Sequence, residues 1–413
     1  MLFYYVSAAS YALLRLFTPG GAGALELNAW LVSGACFTAT GAIVGWFAAR
    51  LGRAAGDARG STAAALTALA VGGLCLSHRF LWGVCSGMEN PLSGLLVTAL
   101  ASAPWWARAR PATVAALAAA LIATRPDWAP IAVLVPASRF LDRAPPFRAL
   151  VGDTVYGYAI LAACLLAVFV PLRWTTGDWQ PSAYGARVDI HLATSASEFA
   201  RSMWRAAGPR WGIAAAMSFA ASGASVLRGR APRAVLLVPF AIAAFLAMRG
   251  FLGLSDLGVR DRYVSYLWAP MVLTYATGLL AVPRGRSGGV AAPVSRAMAT
   301  AFATCGVATM ALGVVPAARF LAEDAEEMQQ VVVRPSLWIA EHLPRDAVVS
   351  MEPAGAIRTF TDLTLVDRVG LTTAHRRRFL ESTGKQPKED YAGFLAAYGV
   401  QYVFDYPAIL AHF

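Results

Sequence analysis

The chain has 413 residues, of which 57% are hydrophobic and only 14% charged, with a formal net charge of +11. A soluble domain carries about 25% charged residues, so this composition excludes an ordinary soluble enzyme and points to a chain built largely inside a lipid bilayer. The positive charge sits on loop arginines, whose natural partners are anionic lipid headgroups or phosphate; no nucleic-acid-binding module is legible, so nucleic acid is not an expected partner.

The charge is uneven. Residues 1–316 hold 25 Arg against 11 Asp or Glu, whereas residues 317–413 hold 10 Lys or Arg against 13 Asp or Glu. The sequence therefore divides near Pro316 into a basic membrane part, 1–316, and a mildly acidic tail domain, 317–413. Only Lys385 and Lys388 are lysines, an imbalance that base composition of the genome is the plainest reason for. The cysteines show no metal-type CxxC spacing.

In chain order, segment 2–17 is apolar but short; it either spans the bilayer or lies along its surface with tyrosines at the interface. Apolar runs long enough for a bilayer core of about 30 Å, or nearly so, follow at 28–50, 61–79, 91–107, 111–124, 127–141, 149–171, 211–228, 233–250, 263–282 and 297–316. The pair 111–124 and 127–141 flanks Arg125-Pro126, which reads as two helices meeting at a tight polar turn, or as one broken helix. The expected fold is an all-α polytopic membrane bundle of about 10–11 hydrophobic helices with a small α/β tail.

Alternate loops then concentrate positive charge. Arg50, Arg53 and Arg59; Arg108 and Arg110; Arg139, Arg143 and Arg148; Arg228, Arg230 and Arg233; and Arg284, Arg286 and Arg296 are opposed only by Asp57 and Asp142. Positively charged loops stay in the cytoplasm, which places 80–90, the turn at 125–127, 172–210, 251–262 and the tail outside. On that external side stand Ser86-Gly87-Met88-Glu89, Thr124-Arg125-Pro126-Asp127, Gly177-Asp178-Trp179, Tyr184, Arg187 and Arg260-Asp261-Arg262-Tyr263. Taken singly, each has a bland reading: an arginine that snorkels to headgroups, a Trp or Tyr in the interfacial belt, an acid complementing a helix dipole. Their convergence at one depth has a sharper reading. Arginines hold a phosphate by fork geometry, aromatics stack on sugar faces, and a carboxylate takes the proton from an attacking hydroxyl.

In the tail, 320–343 reads as a helix, Ala347–Ser350 and Thr364–Asp367 as short strands, 389–398 as a helix and Gln401–Asp405 as a last strand. Arg376-Arg377-Arg378 reads first as a solvated loop, with a phosphate or acceptor-glycan site as the alternative.

Ser86-Gly87-Met88-Glu89-Asn90-Pro91-Leu92 resembles the sG(L/M)EtpL motif of GT-C-type membrane glycosyltransferases of bacteria, and most nearly the mycobacterial-type arabinofuranosyltransferases and their relatives. Thr124-Arg125-Pro126-Asp127 is similar to that group's tRP(D/E)G, with Trp128 in place of the usual Gly. Gly177-Asp178-Trp179-Gln180-Pro181 through Tyr184 to Arg187 resembles its G..lPNtyyaK loop, with Arg187 for Lys and no Asn after Pro181. Arg262-Tyr263 resembles its RY before a late helix, and Trp338–Pro344, Gly355–Ile357 and Val366–Leu371 are similar to its external domain.

The resemblance covers most of the chain. It implies a polyprenyl-phosphate-linked sugar as donor, a cell-envelope glycan or lipid as acceptor, membrane lipids as surroundings, and a multi-pass protein of the bacterial plasma membrane with an extracytoplasmic tail. Asp127 and Glu89 become the catalytic carboxylates. Arg125, Arg187, Arg260 and Arg262 become binders of phosphate or sugar, with Asp178, Trp179 and Tyr263 lining the approach. A divalent cation serves some relatives, and no ligand cluster here demands one. The family's first helix and the acidic loop after it, usually taken to hold the base, have no counterpart before segment 2–17. A fragment or misassigned start, a replacement carboxylate, and a catalytically inert relative each account for that. A transporter or flippase is the rival class; it would bring internal repeats or mid-membrane charges. The topology is directly testable: with L380C in intact cells, an impermeant thiol reagent added outside is expected to label the tail, and protection there overturns the orientation.

Overall fold

The computed structural model describes residues 2–17, 22–54, 90–103, 111–125, 128–132, 146–176, 322–351, 354–369, 375–387 and 389–404, with scattered single positions between 197 and 319. Contacts divide the chain into two units. One comprises Met1–Val168 with His191–Ala318, and the other Phe169–Ile190 with Arg319–Phe413. The described residues are mostly helical, with a small parallel sheet near the C-terminus.

The first unit opens with α1 (Leu2–Leu14) and α2 (Ala22–Ala54). At about 1.5 Å per residue, α1 is too short to cross a bilayer core unaided. It packs against α2 and is fastened to it where the Asn28 amide donates to the Ser7 carbonyl and hydroxyl, both at 2.9 Å. The apolar stretch Leu27–Phe47 makes α2 one of two described helices long and apolar enough to cross a membrane.

Next come α3 (Asn90–Ser102), α4 (Pro111–Thr124) and the single turn α5 (Ala129–Ala132). Both α3 and α4 carry proline in their first turn, where the missing N–H would be unpaired in any case. α3 packs on α2 and on α4. Its buried Ser93 and Thr98 and the buried Ala115, Ala118 and Ala119 of α4 are small, as close helix approach requires when hydrophobic burial alone cannot drive association. α6 (Phe147–Thr176) is the second helix long and apolar enough to span, over Phe147–Trp174. It leaves Val151, Val155 and Leu166 exposed, side chains suited to lipid. The segment expected at 149–171 is thus one continuous helix despite Pro171. Of the remaining expected spans, 61–79 and most of 127–141, 211–228, 233–250, 263–282 and 297–316 lie outside the described residues; isolated positions such as Phe219, Ala243 and Ala269 are helical.

In the second unit, residues 322–327 are helical and run into a π-helical turn, Met328–Val333, and then α7 (Arg334–His342). Pro335 explains the π turn. Its ring would clash with the carbonyl four residues back, that of Val331, and a widened turn relieves the clash. β1 (Val348–Met351), α8 (Ala354–Phe360), β2 (Thr364–Val366), α9 (His375–Thr383), α10 (Tyr391–Ala397) and β3 (Tyr402–Phe404) follow. The sheet order is β2-β1-β3, all parallel, with Val349 opposite both Leu365 and Tyr402.

The pleat sorts the core. Val349, Met351 and Leu365 pack with Ile339 of α7 and Ile357 of α8 on one face. Val366, with Val348 and Val403, packs against Phe379 of α9 and Tyr391 and Phe394 of α10 on the other. The expected strands appear within a residue or two of their expected ends. α8 and α9 were not expected as helices, and Arg376-Arg377-Arg378 lies on α9 rather than in a solvated loop. Asp390 caps α10, its Oδ1 accepting from the Gly393 amide at 2.9 Å. At the other end Gly399, at a φ of +64°, turns the chain toward β3.

Two substitutions separate core from cap. Phe394→Ala, at a fully buried ring, should cost about 3–5 kcal/mol, and Asp390→Ala about 1 kcal/mol. Hydrogen exchange of the β1 amides in the full-length protein measures both.

Candidate functional site

Of the residues expected at the membrane site, Arg125 is described. α4 is an Ala-rich apolar helix that stops at Thr124, because the residue before a proline is pushed out of helical geometry and Pro126 follows Arg125. The last turn closes on itself. Thr124 Oγ1 donates to the Ala120 carbonyl at 2.8 Å, and the Arg125 amide to the Leu121 carbonyl at 2.8 Å. The Arg125 carbonyl then accepts from the Trp128 amide at 3.1 Å, and α5 begins. Helix α4 thus ends at this turn, and a short helical turn begins at Ala129, as either two helices or one broken helix would have it. Arg125 is 7% exposed and Trp128 2% exposed. A guanidinium does not surrender its proton, so the end of α4 carries a buried, partnered cation. Burying it without compensation would cost several kcal/mol.

The other expected site residues, Glu89, Asp127, Asp178, Trp179, Arg187, Arg260, Arg262 and Tyr263, lie outside the described residues. Glu89 immediately precedes α3, whose Pro91 and Leu92 are buried. Among the described residues, no three His, Cys, Asp or Glu side chains cluster as metal ligands would.

A second polar cluster, not singled out from the sequence, stands at the carboxyl end of β2. Asp367 is fully buried and its Oδ1 accepts from the Val369 amide at 2.8 Å. The first turn of α9 is stitched to the same segment. Arg376 donates from Nε to Gln386 Oε1 at 3.1 Å and from a terminal nitrogen to the Val369 carbonyl at 3.4 Å. The Arg368 guanidinium lies 5.7 Å from the centre of the Tyr391 ring. His375 packs on Tyr398 with ring centroids 4.5 Å apart, and the Tyr398 hydroxyl donates to the His375 carbonyl at 2.9 Å. Burial first, then Arg378 and Arg358, hold the His375 imidazole below its usual range, with Asp367 pulling the other way. Burial raises the Tyr398 phenol, and Arg378 partly offsets this. The sequence signal for this cluster was the strand–helix–strand order with an acid closing a strand, and the arginine triplet masked it.

Residues 319–412 match the model of a family described as a domain of unknown function, DUF8728. No curated protein matches the chain. No solved structure matches it.

The His375 shift sets a pH dependence. Because the folded imidazole binds its proton more weakly than the unfolded one, its contribution is complete above the usual value near 6.5 and is lost as pH falls from there to the folded value. The melting temperature of the tail should therefore drop between pH 7.5 and pH 5, and H375Q should flatten that slope in a thermal scan of the full-length protein.

Proposed function

We propose that the chain is a GT-C-like membrane glycosyltransferase that moves a sugar from a polyprenyl-phosphate carrier to a cell-envelope glycan or lipid. It would sit as a polytopic bundle in a bacterial plasma membrane with its tail outside. The observation that carries the reading is Arg125: a buried, permanently charged side chain closing an apolar helix at a polar turn. Such a charge is costly in an apolar setting and marks a functional position by default. Two helices long and apolar enough to span, the alternation of loop arginines and the order of the four motifs support the same reading.

In this mechanism the C1–O bond to the donor phosphate breaks as the acceptor hydroxyl attacks C1 from the opposite face, inverting the centre. The departing polyprenyl phosphate takes the bonding electron pair. Arg125, with Arg187, Arg260 and Arg262, neutralises that growing charge through fixed donors. Asp127 or Glu89 accepts the proton of the acceptor hydroxyl. Asp178, Trp179 and Tyr263 line the approach of the sugar.

Purified protein incubated with labelled polyprenyl-phosphate sugars tests this. Transfer to an acceptor is expected, and R125Q should lower it by about a hundredfold while the variant still elutes as a single species. R125K should recover little, because an ammonium lacks the planar fork. Donor binding without transfer would leave a non-catalytic binder of lipid-linked sugar. No binding to any donor sinks the proposal.

A further inference from the structure

Helix α2 is marked toward both ends by tryptophan. Trp30 and Trp46 are 52% and 40% exposed, and about 24 Å of helix separates them. The apolar stretch closes at Phe47, beside Trp46. Tryptophan favours the level of lipid headgroups. A bilayer crossed by α2 would therefore meet water near Trp46, and Arg50, one turn further on, would stand among the headgroup phosphates.

Arg50 is not held as a simple anchor is. A snorkelling arginine reaches away from the apolar surface into water, whereas Arg50 folds back over the Trp46 ring, 5.4 Å from its centre. That contact uses the face of the guanidinium and leaves the five N–H donors in its plane. Arg50 is half-buried, yet it forms no hydrogen bond and no ion pair among the described residues. The sequence nearby supplies little to fill those donors: between Arg50 and the apolar run at 61–79, Asp57 is the one acid, set against Arg53 and Arg59 as well. A phosphate meets such a fork with two oxygens in its plane.

On the bilayer side of Trp46, α2 presents a shallow face. Ala35, Thr38 and Ala42 are exposed there, spaced by three and four residues toward Trp46. A Cβ added at Gly34 or Gly41 would meet nothing within 4 Å. From Trp46 to Ala35 is about 16 Å of helix, half of a hydrocarbon core of about 30 Å, which is the depth that the acyl chain of one leaflet reaches. The shallow face is not a site by itself; the donor-empty Arg50 at its end decides what covers it.

We infer that the Arg50 end of α2 binds an anionic phospholipid. Arg50 holds the headgroup phosphate, Trp46 fixes the guanidinium, and one acyl chain lies on the face from Ala42 to Ala35. By the alternation of loop arginines this end belongs to the cytoplasmic leaflet, where anionic lipid gives the surface its negative potential. The inference rests on α2 crossing a bilayer and not on sugar transfer.

Trp46 emission, taken as the full-length protein minus the same chain carrying W46F, reads this in phosphatidylcholine bilayers doped with brominated lipid, whose bromines quench tryptophan on contact. Dibromo-phosphatidylglycerol should quench Trp46 at an about tenfold lower mole fraction than dibromo-phosphatidylcholine, the worth of one charge-assisted contact. R50Q should bring the two lipids level. R50K should restore only part of the difference, because an ammonium has no fork, and R59Q should leave the difference unchanged. Equal quenching by both lipids overturns the site while leaving α2 in lipid. Quenching by neither takes α2 out of the bilayer and the site with it. A preference that survives R50Q, or falls as far in R59Q, assigns a diffuse surface charge and overturns the site.

Discussion

An apolar helix survives in a low-dielectric setting when each polar group on it finds a partner close at hand, and the described helices of the first unit are built around that requirement. Several of their buried hydroxyls turn back onto their own backbone. Thr40 donates to the Cys36 carbonyl, Thr98 to Gly94, Ser102 to Ala99 and Thr124 to Ala120, at 2.6 to 2.8 Å. Each closure hides a hydroxyl that would otherwise cost about 1–3 kcal/mol unpaired. The small residues that permit these closures also let α3 approach α2 and α4. Others are not closed in this way: Ser33, Ser93 and Thr154 are buried inside α2, α3 and α6 with no hydrogen-bond partner for their hydroxyls among the described residues. Asn28 reaches across to Ser7 and links two helices. Arg125 is the end-of-helix case, and it is there that the chemistry proposed above becomes affordable.

The tail solves a different problem. A unit of about 95 residues buries little apolar surface per residue, so its stability leans on one central strand covered from both sides. β1 is that strand. Val349 and Met351 point into the cluster with Ile339 and Ile357, while Val348 faces the cluster with Phe379 and Phe394. Ser350 is buried on the second face with no hydrogen-bond partner for its hydroxyl among the described residues. A small polar residue there lets the aromatic side chains of α9 and α10 come close to the sheet. The T-shaped pair Phe379–Phe394, at 5.3 Å between ring centres, fills the space.

How much of this could be read from the residues depends on how local the cause is. Helix α4 was legible to its ends, because Pro111 and the Arg125-Pro126 pair bound it chemically. The tail strands were legible because their β-branched runs are short and bounded by polar residues. α8 was not. Its seven residues include a glycine and a threonine with weak helix preference, and the helix forms because Ile357 is buried against β1 and β2. α9 was obscured by its own charges. His375-Arg376-Arg377-Arg378 offers no apolar period, and the residue that fixes the helix is Phe379, buried at its centre. The expected membrane site is a reading of residue types in an order, of which Arg125 alone is described, and Arg125 shows why order alone is insufficient. Its burial follows from the helices around α4, which the motif does not contain.

Arginine does the same physical work in both units, though the two surroundings differ. A lysine at the end of α4 could shed its proton when buried, and its charge would then follow its environment. Arg125 keeps its charge whatever surrounds it. In the tail, Arg376 shows the second advantage, since a planar fork can hold Gln386 and the Val369 carbonyl at once. An ammonium on four methylenes would spend more rotamer entropy for fewer oriented contacts. Base composition is the plainest cause of the arginine excess, but the fold makes use of it. Of the two lysines, Lys385 stands in the connection between α9 and α10, where it approaches Asp390 at 3.5 Å with more than half of its side chain exposed. A surface pair of that kind contributes little and requires only a charge. Positions that require a charge of fixed value and direction hold arginine.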